Sequence, residues 1–313
     1  MITVGTNGDF SSVNEAVQAA KSGDTIFVSN GIYRERVEVT KPNITLIGED
    51  KNNTVIEYGL YARMIVDGEK LGTFRSYTML VNTDNFVCRN ITVANTAGFG
   101  DDVGQAIAVY AEGDSITFED CRILGHQDTL FTGPLPFREI EKGGFRGPTE
   151  FAERRTVHQT YKRCYIEGEV DFIFGSASAY FEECELFSID CGKEINGFVT
   201  AASTYEGTDY GYVFNRCKFT GNCPEGTVYL GRPWRNFAQT VLVNCEIGGH
   251  INDELFHDWN KTDARKTVQY GIYNCHGKDV SCAATFVKKL TEDEAETLLK
   301  KNKGCTVIKC NLF

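Results

Sequence analysis

Seven cysteines share one repeated setting. FVCRNITV surrounds Cys88, FEDCRILG surrounds Cys121, YKRCYIEG surrounds Cys164 and FEECELF surrounds Cys184. FNRCKFTG at Cys217, VNCEIGG at Cys245 and YNCHG at Cys275 continue the series. In each, an apolar residue and one or two polar residues precede the cysteine, and a polar then an apolar residue follow it. The spacing varies between 20 residues (Cys164 to Cys184) and 43 residues (Cys121 to Cys164). KPNITLIGE at 41–49 has the same alternation without the cysteine.

Alternation with period two makes each unit a short half-buried strand. In SITFEDCRILG, Ile116, Phe118, Cys121 and Ile123 share one side if the chain bends near Glu119–Asp120. One such strand cannot bury its face alone, and stacking successive units builds a continuous core. The expected fold is therefore all-β, a right-handed parallel β-helix, with loops of unequal length leaving the stack. A β-propeller would need regular four-stranded spacing, which is not seen. The cysteines then serve as small apolar residues in a ladder. The content of 31 Gly with 6 Pro and 3 Met agrees with strands and turns rather than helices.

A solenoid needs its exposed end strands covered. Ser12 with Glu15 forms a capping box for a short helix with a Val13, Ala16, Val17, Ala20 stripe, ended by Gly23. Thr291 with Glu294 starts a second, carrying Leu298, Leu299, Lys300 and Lys301 and followed by Gly304. These read as short capping helices at the two ends. No linker divides the chain, so 1–313 is read as a single domain.

The net charge of −11 argues against a nucleic-acid partner, which wants a basic face. No apolar stretch approaches the roughly 18 residues of a membrane span, so no membrane partner is expected. The start, MITVGTNGDFSSVNEAV, shows no basic n-region or apolar h-region. None of the 12 Cys forms a CxxC pair, and buried thiols suit a reducing compartment. A cytoplasmic enzyme is expected, with a secreted one whose leader has been removed as the alternative.

Four stretches break the alternation with residues that chemistry can use: GQAIAVY (104–110), GHQDTLF (125–131), VDFIFG (170–175) and YLGRPW (229–234). Stacked coils could bring them to one outer face. Asp171 is conspicuous, because it lies in an apolar run where a charge is costly unless something pairs with it. Asp128 is a second carboxylate, Gln105 and Gln127 are neutral amide donors, and Arg232 can grip a carboxylate with two hydrogen bonds. Trp234 is two residues from Arg232 and shares its face if that segment is extended. Such a set supports nucleophilic acyl transfer, with one carboxylate attacking, the other moving the proton and the amides stabilising the oxyanion. Taken singly, each has a plainer reading: a turn aspartate, a surface arginine, a core apolar run.

QDTL, VDFIFG and LGRPW, in that order with GQA upstream, resemble the signature segments of the pectin methylesterases. VGTNGDFSSVNEAV, GIYRERVEV and ITLIGE resemble that family's N-terminal coil, NFVCRNITVANTAG the approach to its active site, and FVKKLTEDEA its C-terminal helix. The resemblance runs from about residue 3 to about residue 300. It implies a parallel β-helix and hydrolysis of the C6 methyl ester of galacturonate in pectin or its oligomers. By this resemblance Asp171 is the nucleophile, Asp128 the acid that protonates methanol and then the base that activates water. Gln127 and Gln105 stabilise the tetrahedral intermediate, and Arg232 orients Asp171. Trp234, Phe174, Phe256 and Trp259 are the expected substrate-contacting aromatics. No metal or organic cofactor is implied, and a monomer acting on a galacturonan polymer or oligomer is expected.

The chain departs from the family in two places. TGPLPFREIEKGGFRGPTEFAERRTVHQT, at about 132–159, reads as an insertion beside Asp128. It is either a plain surface loop or a lid whose Arg138, Lys142, Arg146, Arg154 and Arg155 include contacts to galacturonate carboxylates. Leu255–Phe256 stands where the family often has Gly-Trp, ahead of Trp259. His126 is read as a rim residue. The rivals are a glycoside hydrolase or pectate lyase on the same architecture, an acyl thioesterase, and a non-catalytic carbohydrate binder.

Overall fold

A computed structural model describes residues 1–303. Three parallel sheets of 11, 9 and 7 strands run the length of the molecule, with one short antiparallel hairpin, Ile65–Val66 with Glu69–Lys70, outside them. From Thr25 onward, the hairpin aside, successive strands along the chain fall on different sheets, and each interior strand pairs with the strand one coil earlier and one coil later. This is the parallel β-helix that the cysteine units predict.

The bend expected near Glu119–Asp120 is a single residue in the left-handed conformation. Asp120 has φ 53°, and Arg163, Glu183, Arg216, Asn244 and Asn274 take the same conformation immediately before their cysteines. Each turns the chain from the longest sheet into the next one. The strain of a non-glycine residue at positive φ is offset by a ladder, since Asp120 N–H donates to Lys162 O and Arg163 N–H to Glu182 O. Along this corner charges alternate: Arg163 pairs with Asp120 and Glu119, and Arg216 with Glu183 and Glu182. Such partly exposed pairs each contribute little on their own, but like charges in register would repel.

Inside, Cys121, Cys164, Cys184, Cys217, Cys245 and Cys275 hold one position on successive coils, each just after its left-handed corner residue, but Cys88 departs from the reading: it pairs with Phe118, ahead of its corner at Asn90, and Ile91 stands in register with Cys121. Cys121 Sγ lies 3.9 Å from Cys88 Sγ, and both are fully buried. Phe118, Tyr161, Phe181 and Phe214 occupy one register position on four neighbouring strands and stack ring on ring, with centroids 4.5–5.7 Å apart. Stacking identical positions is how the coil buries faces that no single strand could cover.

The helix Val13–Ala19 buries Val13, Ala16 and Val17 over the first coil. Its cap differs from the expected box. Ser12 Oγ accepts from Glu15 N–H, but the acid facing the helix N-terminus is Glu35, which accepts from Ser12 Oγ, Val13 N–H and Asn14 N–H. The helix also stops at Ala19, short of Gly23. The Thr291–Glu294 box is formed in both directions at the start of Glu292–Lys303. Leu298 and Leu299 of that helix pack against Tyr180, Tyr210 and Val213, midway along the longest sheet. Gly304 lies outside the described residues.

The insertion is anchored by buried polar groups. Thr149 is buried, donates to Glu112 at 3.1 Å and shares a short hydrogen bond with the Tyr110 hydroxyl. Burial pushes the Glu112 carboxyl up to about 8 from an ordinary 4.5. The folded protein holds a proton that the unfolded chain releases, so this stabilisation is full below pH 4.5 and is lost as pH rises to about 8. Glu112→Gln is expected to raise the melting temperature at pH 8 by a few degrees and leave it unchanged at pH 4.5, as read by thermal unfolding at both.

Candidate active site

The four chemistry-bearing stretches meet along the seven-stranded sheet. Its strands Val109–Ala111, Leu130–Thr132, Val170–Gly175, Gly197–Ala202 and Val228–Gly231 are successive neighbours. Leu130 pairs with Ile173, so Asp128 and Asp171, each two residues earlier, hold equivalent positions on adjacent coils. Adjacent strands are about 4.8 Å apart, which brings the two carboxylates side by side. Both take positive φ, 64° and 51°, a backbone strain typical of functional positions.

A β-bulge turns Asp171 into the cleft. Val170 pairs with Phe198 and Ile173 with Thr200, so Asp171 and Phe172 oppose Val199 alone. Phe172 fills the core while Asp171, 7% exposed, faces the cleft. Two glycines of the sequence motifs are required by close approach. A Cβ on Gly175 would stand 2.1 Å from Thr132 O, and one on Gly231 would stand 2.0 Å from Thr200 Oγ1.

Arg232 follows its strand directly, fixed by Arg232 N–H to Thr200 O at 2.9 Å. Its Nε and Nη2 donate to the two Asp171 carboxylate oxygens at 2.8 and 2.7 Å. The guanidinium also lies 3.9 Å from the centroid of Phe198 and 3.7 Å from that of Trp259. Lys261 Nζ lies 4.3 Å from the Trp259 centroid and donates to the carbonyls of Pro233 and Trp234. Burial, with Arg235 and Arg232 nearby, pushes Lys261 down to about 8.

The two carboxyls are driven apart. Burial raises both above the ordinary aspartate value. For Asp128 the neighbouring Asp171 adds to the rise, and it ends well above the usual range. For Asp171 the charge and hydrogen bonds of Arg232 oppose the rise. Asp128 therefore holds a proton more tightly than Asp171 does, which sets an acid apart from a nucleophile.

These groups line a cleft of about 390 Å³ together with Gln105, Gln127, Phe174, Trp234 and Trp259. Gln127 O accepts from Ala106 N–H at 3.0 Å, which ties the two glutamine segments to each other. Arg232 and Trp234 do share the cleft, although the strand ends at Gly231 before either. Phe256 is a correction. It is fully buried and stacks on Tyr270 at 4.2 Å, because its bridge to Gly231 places it one coil further on with its ring turned inward. It offers no face to a substrate. Trp259 lies in the cleft, but its ring covers Arg232. His126 is not among the residues that line the cleft; its ring lies 4.4 Å from Phe99, with Nδ1 4.0 Å from Glu169.

The lid reading of the insertion also changes. Arg154 donates to the carbonyls of Pro136, Thr149, Glu150 and Ala152, Arg155 pairs with Asp84, and Arg146 pairs with Glu69. Those three guanidiniums staple the insertion in place. What it puts into the cleft is Ile140, Glu141, Gly144 and Phe145. The sequence reading also missed Phe198 and Arg235. Arg235, next to Trp234, lines the cleft and donates to Trp234 O and to Arg138 O of the insertion. Its place one residue beyond LGRPW was the available signal.

The Pectinesterase family model matches residues 1–136 and 150–292, leaving the middle of the insertion unmatched. Pectinesterase 31 of Arabidopsis thaliana is 34% identical over 308 residues, covering 92% of this chain and 86% of that protein. The crystallised pectin methylesterase from carrot superposes with a TM-score of 0.80 at 27% identity, over 98% of this chain and 96% of that one. A pectin methylesterase crystallised in complex with a hexasaccharide shares the fold, with a TM-score of 0.80 at 24% identity over 96% of each chain.

Proposed function

The chain belongs to the pectinesterase family and hydrolyses the methyl esters of homogalacturonan, and from that premise we propose that Asp171 and Asp128 divide the reaction between them. Asp171, ionised and aimed by Arg232, attacks the C6 ester carbonyl. Negative charge gathers on the carbonyl oxygen, where the Gln105 and Gln127 amides donate to it. The tetrahedral intermediate collapses, the bond to the methoxy oxygen breaks, and Asp128 gives that oxygen its proton, so methanol leaves. An acyl-enzyme anhydride on Asp171 remains. Asp128, now a carboxylate, takes a proton from water, and the resulting hydroxide attacks the acyl carbon. Asp171 departs as a carboxylate, Asp128 is protonated again, and the galacturonate carboxylate is released.

The observation that carries this reading is the bidentate Asp171–Arg232 pair on the coil next to a buried Asp128, whose carboxyl burial and Asp171 push upward. The test is methanol release from highly methylated pectin, with polymer length followed in the same sample. Methanol without chain shortening is expected. Chain cleavage would instead favour a lyase or glycosidase.

The same geometry fixes the pH dependence. Asp171 must be ionised, so kcat/KM falls as pH drops through its raised pKa. Asp128 must be protonated, so kcat/KM falls again as pH climbs through the still higher pKa of Asp128. A bell is expected, and Asp128→Asn is expected to lower the rate by about 10²–10⁴-fold. A rate that rises monotonically into strong base would assign the proton to another group.

A further inference from the structure

The two amides that meet the oxyanion are not aimed by hydrogen bonds of their own. Gln105 and Gln127 line the cleft, and among the described residues neither side-chain amide has a hydrogen-bond partner in the protein. Gln105 is fixed through its backbone, whose carbonyl accepts from Ala62 N–H at 2.8 Å. Gln127 is fixed by packing. Its side chain lies against Gly100, where an added Cβ would stand 2.5 Å from Gln127 Oε1 and 2.7 Å from Gln127 Cβ. With the amide oxygen turned to Gly100, the NH2 is the end left for the cleft.

Glu169 holds Gly100 in place. Its Oε1 accepts from Gly100 N–H at 2.5 Å, and the side chain is 2% exposed. The same oxygen lies 3.0 Å from the position of that added Cβ, so acid and amide converge on one point of the Gly100 backbone. Three stretches of the site meet at Glu169. Its N–H donates at 3.1 Å to the carbonyl of His126, the residue before Gln127. Asp171 lies two residues further along, and Val170 between them accepts from Asp128 N–H at 3.0 Å. The His126 ring backs the carboxyl, and Phe99, next to Gly100, lies against that ring. A buried acid is costly to keep, yet among the described residues this one makes a single side-chain hydrogen bond, to Gly100.

We propose that Glu169 is a positioning residue for the reaction: through Gly100 it holds the Gln127 amide with its N–H groups toward the carbonyl oxygen that becomes negative. This rests on the pectinesterase reading and adds to it a residue that does not itself line the cleft. An oxyanion donor is effective when its position is set before the charge appears. Glu169 therefore acts on kcat and leaves ground-state binding alone.

A double-mutant cycle tests this, read as methanol release from highly methylated pectin. Gln127→Ala alone is expected to lower kcat about 10²-fold, the loss of one oxyanion donor. Glu169→Ala is expected to lower kcat by about tenfold, the order of a displaced group, with KM within about twofold of wild type. In the Gln127→Ala background the same change is expected to cost less than about twofold, because the group it positions is gone. Glu169→Gln keeps an oxygen for Gly100 N–H and is expected to restore most of the rate. Gly100→Ala reaches the same contact from the other side and is expected to lower kcat as Gln127→Ala does. It carries the test if circular dichroism shows that Glu169→Ala does not fold. A Glu169→Ala loss that persists undiminished in the Gln127→Ala background would overturn the proposal, because Glu169 would then act through the Asp171 strand or the fold at large. Wild-type kcat in a folded Glu169→Ala or in Gly100→Ala would overturn it too. A wild type that releases no methanol from any substrate would instead overturn the catalytic reading, and the proposal with it.

Discussion

Asp171→Ala is expected to reduce methanol release by about 10⁴-fold or more while leaving a folded protein. The nucleophile has no substitute, because Asp128 holds the equivalent position on the adjacent coil but keeps its proton. The fold should survive, since Asp171 faces the cleft and the core position next to it is filled by Phe172. The cost falls on Arg232, which loses its bidentate partner but keeps the Phe198 and Trp259 rings on its guanidinium. Asp171→Asn is the closer control, because an amide fills the same space and cannot attack. Methanol kinetics together with far-ultraviolet circular dichroism and thermal unfolding separate the outcomes. Turnover within tenfold of wild type in a folded variant would remove Asp171 from the role of nucleophile.

The sequence held more of this site than its motifs alone. Asp128 lies seven residues after Cys121 and Asp171 seven after Cys164 (128 − 121 and 171 − 164). Because the cysteines mark one position of each coil, equal offsets place both aspartates at one height of one sheet, as the Leu130–Ile173 pairing does. The fold was legible for the same reason, since a repeated position needs only alternation and one bend. The bulge at Asp171 was not, because it is a mismatch between two strands and leaves no mark in either. Phe198 and Phe145 were hidden because an aromatic residue in an apolar strand or an irregular loop looks the same whether it fills the core or backs an arginine. Phe256 failed in the opposite sense. Its neighbours suggested a platform, and one coil of register turned it into the core against Tyr270. The insertion's arginines misled because charge in a loop reads as solvent-facing, whereas Arg154 is consumed by carbonyls of its own loop.

Arg232 carries the second large effect, and its two variants separate charge from geometry. Arg232→Lys keeps a cation but removes the planar fork that bonds both Asp171 oxygens and lies against Phe198 and Trp259. The carboxylate stays ionised but loses its aim, so kcat is expected to fall about 10²-fold, the order expected for a misplaced reacting group, with little change in the pH profile. Arg232→Ala removes the charge as well. Burial already raises the Asp171 carboxyl, and Arg232 is the main influence holding it down. Without that cation the raised pKa climbs further, so the ionised nucleophile appears only at higher pH. The acid limb of kcat/KM is therefore expected to move upward in Arg232→Ala and to stay in place in Arg232→Lys. The same cation also lowers the Asp128 carboxyl, so its loss moves the basic limb upward as well, and the whole bell shifts to higher pH. An acid limb that stays put in Arg232→Ala would mean that Arg232 only positions Asp171 and does not hold its charge.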